Sequence, residues 1–316
     1  MAKMSPMHPE RVLVSGATGF LGQAITTAIR AKWPGARVAG LYIGEPKPGA
    51  DVEAIEADIR DLKAEDVRCI REFDPDTLYH IAGVARGDAE TLYGVNVGGT
   101  AHLLAALVDA PSMQRVILAA STSVYGCVAD SELPVTEDQR LEPANEYAIS
   151  KLAQELLVQE WCRQNNWIAL ICRITNPIGP GQSDAFFVGR LVRQFAELTA
   201  DDPKARLEVW HLAGSRDFID TRDLAAAFVR LAMVSEDAVI NVGSGEETDL
   251  SEVADALQSL IGKEVELVET REIDASQILR QHVDISRLQQ RIGRLERRSL
   301  RETLADMLEA AGCESG

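Results

Sequence analysis

The sequence predicts an α/β protein organised around a doubly wound parallel sheet, with a smaller α/β unit assembled from segments far apart in the chain. Three observations carry this. Short apolar runs that scarcely alternate are separated by stretches of helical periodicity. Turn-forming glycines sit between the first run and the first helix. The composition, 46% hydrophobic with 26% charged residues, suits a large buried core.

Taken in order, residues 11–15 (RVLVS) end at Gly16 and residues 23–31 follow with helical spacing, so the chain opens as strand, turn and helix. The same grammar repeats. Strand-like runs lie at 37–41, 52–56, 77–81, 115–120 and 167–174, with helical segments around 62–72, 97–109 and 147–164. Strands covered on both faces have no wet side, which is why these runs hardly alternate. After Thr175 the turn-rich stretch NPIGPGQSDA breaks the pattern, and a helix at 187–198 and a strand at 207–211 follow. A helix at 224–233 and a strand at 238–242 return the chain to the main sheet, before periodic segments at 250–260, 264–269 and 300–308. One domain is therefore expected from residues 11–175 and 216–245, a second from 176–215 and 246–316, and a flexible tail from 1–10.

Charge and cysteines narrow the function. A formal net charge of −17 repels phosphates at long range, so neither nucleic acid nor an anionic membrane surface is an expected partner. An anionic substrate would need local Arg residues. The five cysteines (Cys69, Cys127, Cys162, Cys172 and Cys313) are odd in number, scattered and never in a CxxC pair, which argues against a disulfide framework and against a zinc or other metal site. A reducing compartment, the cytoplasm, is implied. The opening MAKMSPMHPE has no apolar h-region, and no run approaches the roughly 18 apolar residues of a membrane span.

Gly16, Gly19 and Gly22 lie in GATGFLG, directly after the first strand and before the first helix. That context is what a dinucleotide site requires. Backbone without Cβ lets the amides of Thr18, Phe20 and Leu21 approach a pyrophosphate, and the helix dipole favours its charge. The unit is thus a Rossmann fold. At the end of its second strand, where an acidic residue would hold the ribose 2′-OH of NAD, stands Tyr42. The missing carboxylate favours NADP over NAD. The nearby cation is Lys47, in a Pro/Gly loop that reads equally well as solvated surface.

Tyr147 and Lys151, in NEYAISKLAQELL, stand four apart, so a helix there projects both from one face. A phenol with a pKa of about 10 is mismatched to neutral pH, and lowering it by about three units takes about 4 kcal/mol. One ammonium about 4 Å away, at an effective dielectric of about 20, supplies about that much. Ser121 heads STSVYG at the end of the fifth strand; the bland alternative is a strand-end hydroxyl satisfying local backbone.

These motifs, with Asp58 and Ile59 in ADIRD, HIAG at 80–83 and Asn96 in NVGGT, resemble the extended short-chain dehydrogenase/reductase family. The resemblance implies catalytic roles for Ser121, Tyr147 and Lys151, with Lys151 also reaching the nicotinamide ribose. It implies an adenine site at Asp58 and Ile59, a ribose and pyrophosphate wall at Ala82 and Gly83, and further cofactor contacts from Asn96 and Ile174. Thr122 and Ser123 stand where nucleotide-sugar 4,6-dehydratases carry Asp-Glu, which argues against dehydration.

Over residues 11–310 the wording RITNPIGPGQSDAFFVGRLVRQFAEL, GSRDFIDTRDLAAAF and INVGSGEETDLSEVADAL looks like the nucleotide-sugar branch of that family, and most like GDP-4-keto-6-deoxymannose reductases. This implies hydride delivery to a 4-keto sugar. The substrate would meet Ser121, Thr122, Ser123, Asn176, Arg190 and Arg216, the last gripping its pyrophosphate. A buried ion pair of Arg216 with Asp217 or Asp223 is the competing reading. The chain departs from the family's RPFN run, with Arg173, Ile174, Thr175 and Asn176, and has Gln277 near an expected acid. The alternatives are a nucleotide-sugar epimerase with tightly held NAD, a reductase of a non-sugar carbonyl, and a dinucleotide-binding sensor without catalysis. By resemblance a homodimer is expected through the helices at 97–109 and 147–164.

Overall fold

The computed structural model describes residues 8–44, 51–198, 206–270 and 278–312. Lys47, Gln277, Cys313 and the first seven residues of the expected tail lie outside them. Glu10 is already tied in, since its amide donates to Asp76 Oδ2 at 2.8 Å and its carbonyl accepts from the Arg37 amide.

The chain opens with β1 (Arg11–Ser15), α1 (Phe20–Lys32), β2 (Arg37–Tyr42), β3 (Glu53–Glu56), α2 (Ala64–Phe73) and β4 (Thr77–His80). It continues through α3 (Ala89–Tyr93), α4 (Thr100–Leu107), β5 (Arg115–Ser121), α5 (Glu146–Asn165) and β6 (Ile168–Ile174). Next come β7 (Asn176–Ile178), α6 (Phe187–Ala196), β8 (Arg206–Val209), β9 (Ser215–Arg216), β10 (Phe218–Asp220) and α7 (Thr221–Leu231). The last part holds β11 (Ala238–Val242), β12 (Thr248–Asp249), α8 (Leu250–Ile261), β13 (Glu266–Glu269), β14 (Arg280–Gln281), α9 (Ser286–Ile292) and α10 (Leu300–Ala310).

The main sheet has the order β11-β6-β5-β4-β1-β2-β3, with every neighbouring pair parallel. This is the doubly wound arrangement that the apolar runs predict. One face packs α1, α7 and α9 over a core that includes Val14, Ile25, Phe228 and Ile240. The other packs α2, α4 and α5 around Leu13, Leu78, Leu104 and Ile171. A separate core around Val192, Phe195, Leu257 and Met307 joins α6, α8 and α10 to the parallel pair β8 and β13.

Three short pairings escaped the sequence reading: β7 with β10, and β9 with β12 and β14. At two or three residues each, they are too short for any hydrophobic period to show. A helix expected at 97–109 proves to be the end of a longer one that starts at α3, where Asp88 accepts from the Thr91 amide at 2.9 Å, and passes through a π-helical turn at Gly94–Gly99 into α4. Helix propensity is low across GVNVGG, so the sequence hides this stretch. Such turns widen a helix by one residue and often sit at functional sites.

Candidate active site

The C-terminal ends of the main-sheet strands open on a cavity of about 1030 Å³, at the point between β1 and β4 where the strand order reverses. Open parallel sheets bind ligands at this place because the helices on either side diverge there.

The glycine turn forms one wall. Gly16 has φ +69°, and a Cβ on it would stand 2.9 Å from the Ala82 Cα. A Cβ on Gly22 would stand 2.0 Å from the Gly16 carbonyl oxygen. The turn, the helix and the Ala82 wall can therefore meet this closely only without those side chains. Helix α1 is preceded by Gly19, which offers no side-chain cap, and Gly16, Thr18, Gly19, Phe20, Leu21 and Gly22 all line the cavity. An uncapped helix N-terminus beside bare backbone is a cradle for a dinucleotide pyrophosphate, so the residues present fit that group.

Tyr42, Ile43, Asp58, Ile59 and Arg60 line one region of the same cavity. The Arg60 guanidinium and amide hold the Asp58 carboxyl below its usual range. Ala82 and Gly83 line the cavity as expected, but Asn96 does not. It is fully buried in the π-helical turn, where its side chain accepts from the Val84 amide at 2.9 Å and donates to the Val84 carbonyl and to Ser150 Oγ. Asn96 thus shapes the wall from behind Gly83. Its polar atoms are committed because no water reaches them.

Ser121 ends β5, Tyr147 lies in the first turn of α5, Lys151 follows one turn later, and Ile174 ends β6; all four line the cavity. Asn145 starts α5 by accepting from the Ala148 amide at 2.9 Å. Ser121 Oγ accepts from the Ser123 hydroxyl at 2.9 Å and from the Ser123 amide at 3.2 Å, and its side chain is hydrogen-bonded to Tyr147. Burial pushes the Tyr147 phenol up from its ordinary value, and the Ser121 bond opposes this only in part.

The Lys151 ammonium donates to the Ala119 carbonyl at 2.7 Å and to Gln154 Oε1. Burial lowers Lys151 to about 8, with Glu155 opposing. Spacing along a helix shows that two groups share a face; it does not say which acceptors from β5 and α5 take the ammonium protons.

Thr122, Ser123, Asn176 and Arg216 line the other part of the cavity. Thr122 Oγ1 donates to the Ile174 carbonyl at 3.2 Å, so its hydroxyl is engaged in the scaffold. Asn176 Nδ2 donates to the Asp217 carbonyl at 3.1 Å. Arg216 forms neither of the ion pairs weighed from sequence. Its guanidinium donates to the carbonyls of Ser215, Leu279 and Ile278, while Asp223 pairs with Arg298 at 2.6 Å and Asp217 accepts from Ser244 and Gly245. Carbonyl acceptors fix the fork without neutralising it, which leaves its charge for an anion. Arg190 is not in the wall; its guanidinium stands 5.7 Å from the centre of the Trp210 ring. Sequence reasoning missed Phe186, Phe187, Trp210 and His211 in this wall. The only available signal was the unusual Phe186-Phe187 pair in a turn-rich stretch.

Among the described residues no helix is long and apolar enough to cross a membrane. A family model described as the NAD dependent epimerase/dehydratase family matches residues 12–243. A Pseudomonas aeruginosa protein described as GDP-6-deoxy-D-mannose reductase is 34% identical over 271 residues, covering 82% of this chain and 83% of that one. The structure of RMD from Pseudomonas aeruginosa complexed with NADPH superposes with a TM-score of 0.81 at 29% identity, over 96% of this chain and 97% of that one. UDP-glucose 4-epimerase from Thermus thermophilus in complex with NAD gives a TM-score of 0.82 at 25% identity, over 96% and 99%.

Proposed function

The chain belongs to the NAD dependent epimerase/dehydratase family, and from that premise we propose that it is an NAD(P)-dependent reductase of the 4-keto group of a nucleotide-diphospho-sugar, as GDP-4-keto-6-deoxymannose reductases are. The observation that carries the reading is the meeting of Ser121, Tyr147 and Lys151 in the cavity that the glycine turn also lines.

When bound, a nicotinamide dinucleotide would supply the hydride. The protein supplies the proton and the positions. A reductase needs its proton donor to arrive protonated, and burial keeps the Tyr147 phenol in that form. Tyr147 gives its proton to the alkoxide that develops on the sugar oxygen, and Ser121 steadies that oxygen. Lys151 would hold the dinucleotide ribose and would offer its charge to the tyrosinate left behind. Asn176 and the Arg216 fork hold the sugar nucleotide, the latter at its diphosphate. NADP is favoured because Tyr42 and Ile43, with no carboxylate, line the cavity at the end of β2. In this reading residues 11–175 and 216–245 serve the dinucleotide, and 176–215 and 246–316 the sugar nucleotide.

Incubation with NADPH or NADH and a panel of GDP-, UDP- and dTDP-linked 4-keto sugars is expected to consume the reduced cofactor, fastest with a GDP sugar. Cofactor absorbance that stays constant across the panel overturns the reading. The likeness to the Thermus thermophilus epimerase supports a second reading, in which the same three residues serve epimerisation. Tightly retained NAD with no net turnover is its signature.

A homodimer belongs to the same proposal. Ile149 and Leu156 on α5 and Val108 just after α4 are exposed, 40%, 58% and 44% respectively, on the helices expected to pair. Mass measurement in solution is expected to give twice the chain's 34.4 kDa; a single-chain mass at micromolar concentration sinks it. The cytoplasm is the proposed location, supported by the absence of a disulfide at Cys69, Cys162 and Cys172.

A further inference from the structure

Gln154 lies one turn beyond Lys151 on α5 and is fully buried. Hydrogen-bond direction leaves its side-chain amide a single orientation. The Thr100 hydroxyl donates to the Asn96 carbonyl at 2.6 Å, so Thr100 Oγ1 can only accept from its other partners. It accepts from Gln154 Nε2 at 2.8 Å, which turns Gln154 Oε1 to the Lys151 ammonium.

His80 of β4 locks the same arrangement from the far side. Ser15 Oγ receives the amides of Ile81 and Ala82 at 3.1 Å each, leaving its own proton for His80 Nδ1 at 2.7 Å. The other ring nitrogen then carries hydrogen and donates to Thr100 Oγ1 at 2.7 Å. Burial and the Lys151 charge hold His80 down at about 3, so this neutral tautomer persists at physiological pH. Two donor lines, one from the Ile81–Ala82 turn through Ser15 and His80 and one from the Lys151 ammonium through Gln154, thus converge on the Thr100 hydroxyl, whose own proton goes to the Asn96 carbonyl.

An ammonium has three protons. The Ala119 carbonyl takes one and Gln154 Oε1 a second. The third is left for the cavity, where Nζ lies close beneath bare Gly83, 3.8 Å from where a Cβ would stand. We propose that Gln154 is a positioning residue for Lys151: its amide oxygen, oriented by the Ser15–His80–Thr100 chain, holds the ammonium charged and aims its remaining proton at the bound dinucleotide. Other groups facing Lys151 are Glu155 on the same helix, committed to Arg173 of β6, and Tyr147 one turn back. His80 of β4 is neutral, β5 contributes only the Ala119 carbonyl, and α4 contributes Thr100.

The inference rests on the dinucleotide reading of the cavity but not on the sugar, so its test needs no substrate. NADPH binding is measured by calorimetry across pH for the wild type, Gln154→Leu and Gln154→Glu. Wild-type affinity is expected to fall above about pH 8 as the ammonium loses its proton. Gln154→Leu removes an acceptor and moves this alkaline limb down by about one pH unit, while Gln154→Glu adds a carboxylate and moves it up by about as much. A limb that stays in place in both variants, a wild type with no limb, or a loss of affinity that is uniform at every pH overturns the proposal, because loosened packing alone gives the last of these. If Gln154→Leu does not fold, Gln154→Glu decides alone: a limb that fails to move up overturns it. NADPH binding with these shifts but no turnover of keto sugars refutes the reductase reading and leaves the positioning role standing.

Discussion

Tyr147→Phe is expected to lower turnover by about 100- to 10,000-fold while leaving NADPH affinity within about twofold. The substitution removes one oxygen and its proton and preserves the ring that packs in the first turn of α5. The Ser121 hydroxyl loses its bond to the phenol but keeps the Ser123 hydroxyl and amide, so β5 should keep its shape. Separating binding from turnover is the essential part of the measurement. Calorimetry with NADPH reads the first and single-turnover cofactor oxidation the second. Turnover equal to wild type removes Tyr147 from the chemistry; turnover and affinity lost together mean that it is a structural residue.

Glu155→Ala is expected to destabilise the native state by about 3–5 kcal/mol, read from the shift in denaturant midpoint. Arg173 and Glu155 form an ion pair at 2.9 Å whose side chains are only 6% and 2% exposed. The Arg173 fork is further held by the Tyr125 hydroxyl at 3.1 Å, above whose ring it lies at 5.0 Å. Removing the carboxylate leaves a guanidinium where water does not reach, and the full desolvation cost then goes unopposed. Glu155→Gln keeps a hydrogen-bond acceptor and is expected to lose less. A change under about 1 kcal/mol for Glu155→Ala would mean that solvent enters beside Arg173. The pair also bears on the site, because Glu155 is the charge that helps keep Lys151 protonated against its burial.

Much of the fold was legible. RVLVS, residues 115–120 and residues 238–242 are apolar runs of strand length bounded by turn residues, and each is a strand of the main sheet. Buried parallel strands have this signature because both of their faces are dry. GATGFLG was legible for a related reason: only glycine allows the φ of +69° at Gly16 and the close approaches there, so the geometry is written in residue type. The same holds for the shared face of Tyr147 and Lys151, which four-residue spacing on a helix dictates.

Other features left no trace in local sequence. Asn96, read as a cavity contact, points into the scaffold because Val84 and Ser150, 12 and 54 residues away, take up its polar atoms. Arg216 chose carbonyls at Ile278 and Leu279, more than 60 residues on, over the acids beside it in sequence. The acceptors of the Lys151 ammonium likewise come from β5 and from Gln154, whose orientation depends on Thr100, His80 and Ser15 on three other elements.

The amino-acid sequence by itself determined the sheet, the glycine cradle and which residues could carry acid–base chemistry, because those follow from side-chain shape, backbone freedom and periodicity within a few neighbouring residues. Only the tertiary structure decided where each polar group spends its hydrogen bonds, and so which acceptors hold the Lys151 ammonium. Hydrogen bonds in a dry interior must be satisfied by whatever the fold brings near, and that is set by contacts between residues distant in the chain.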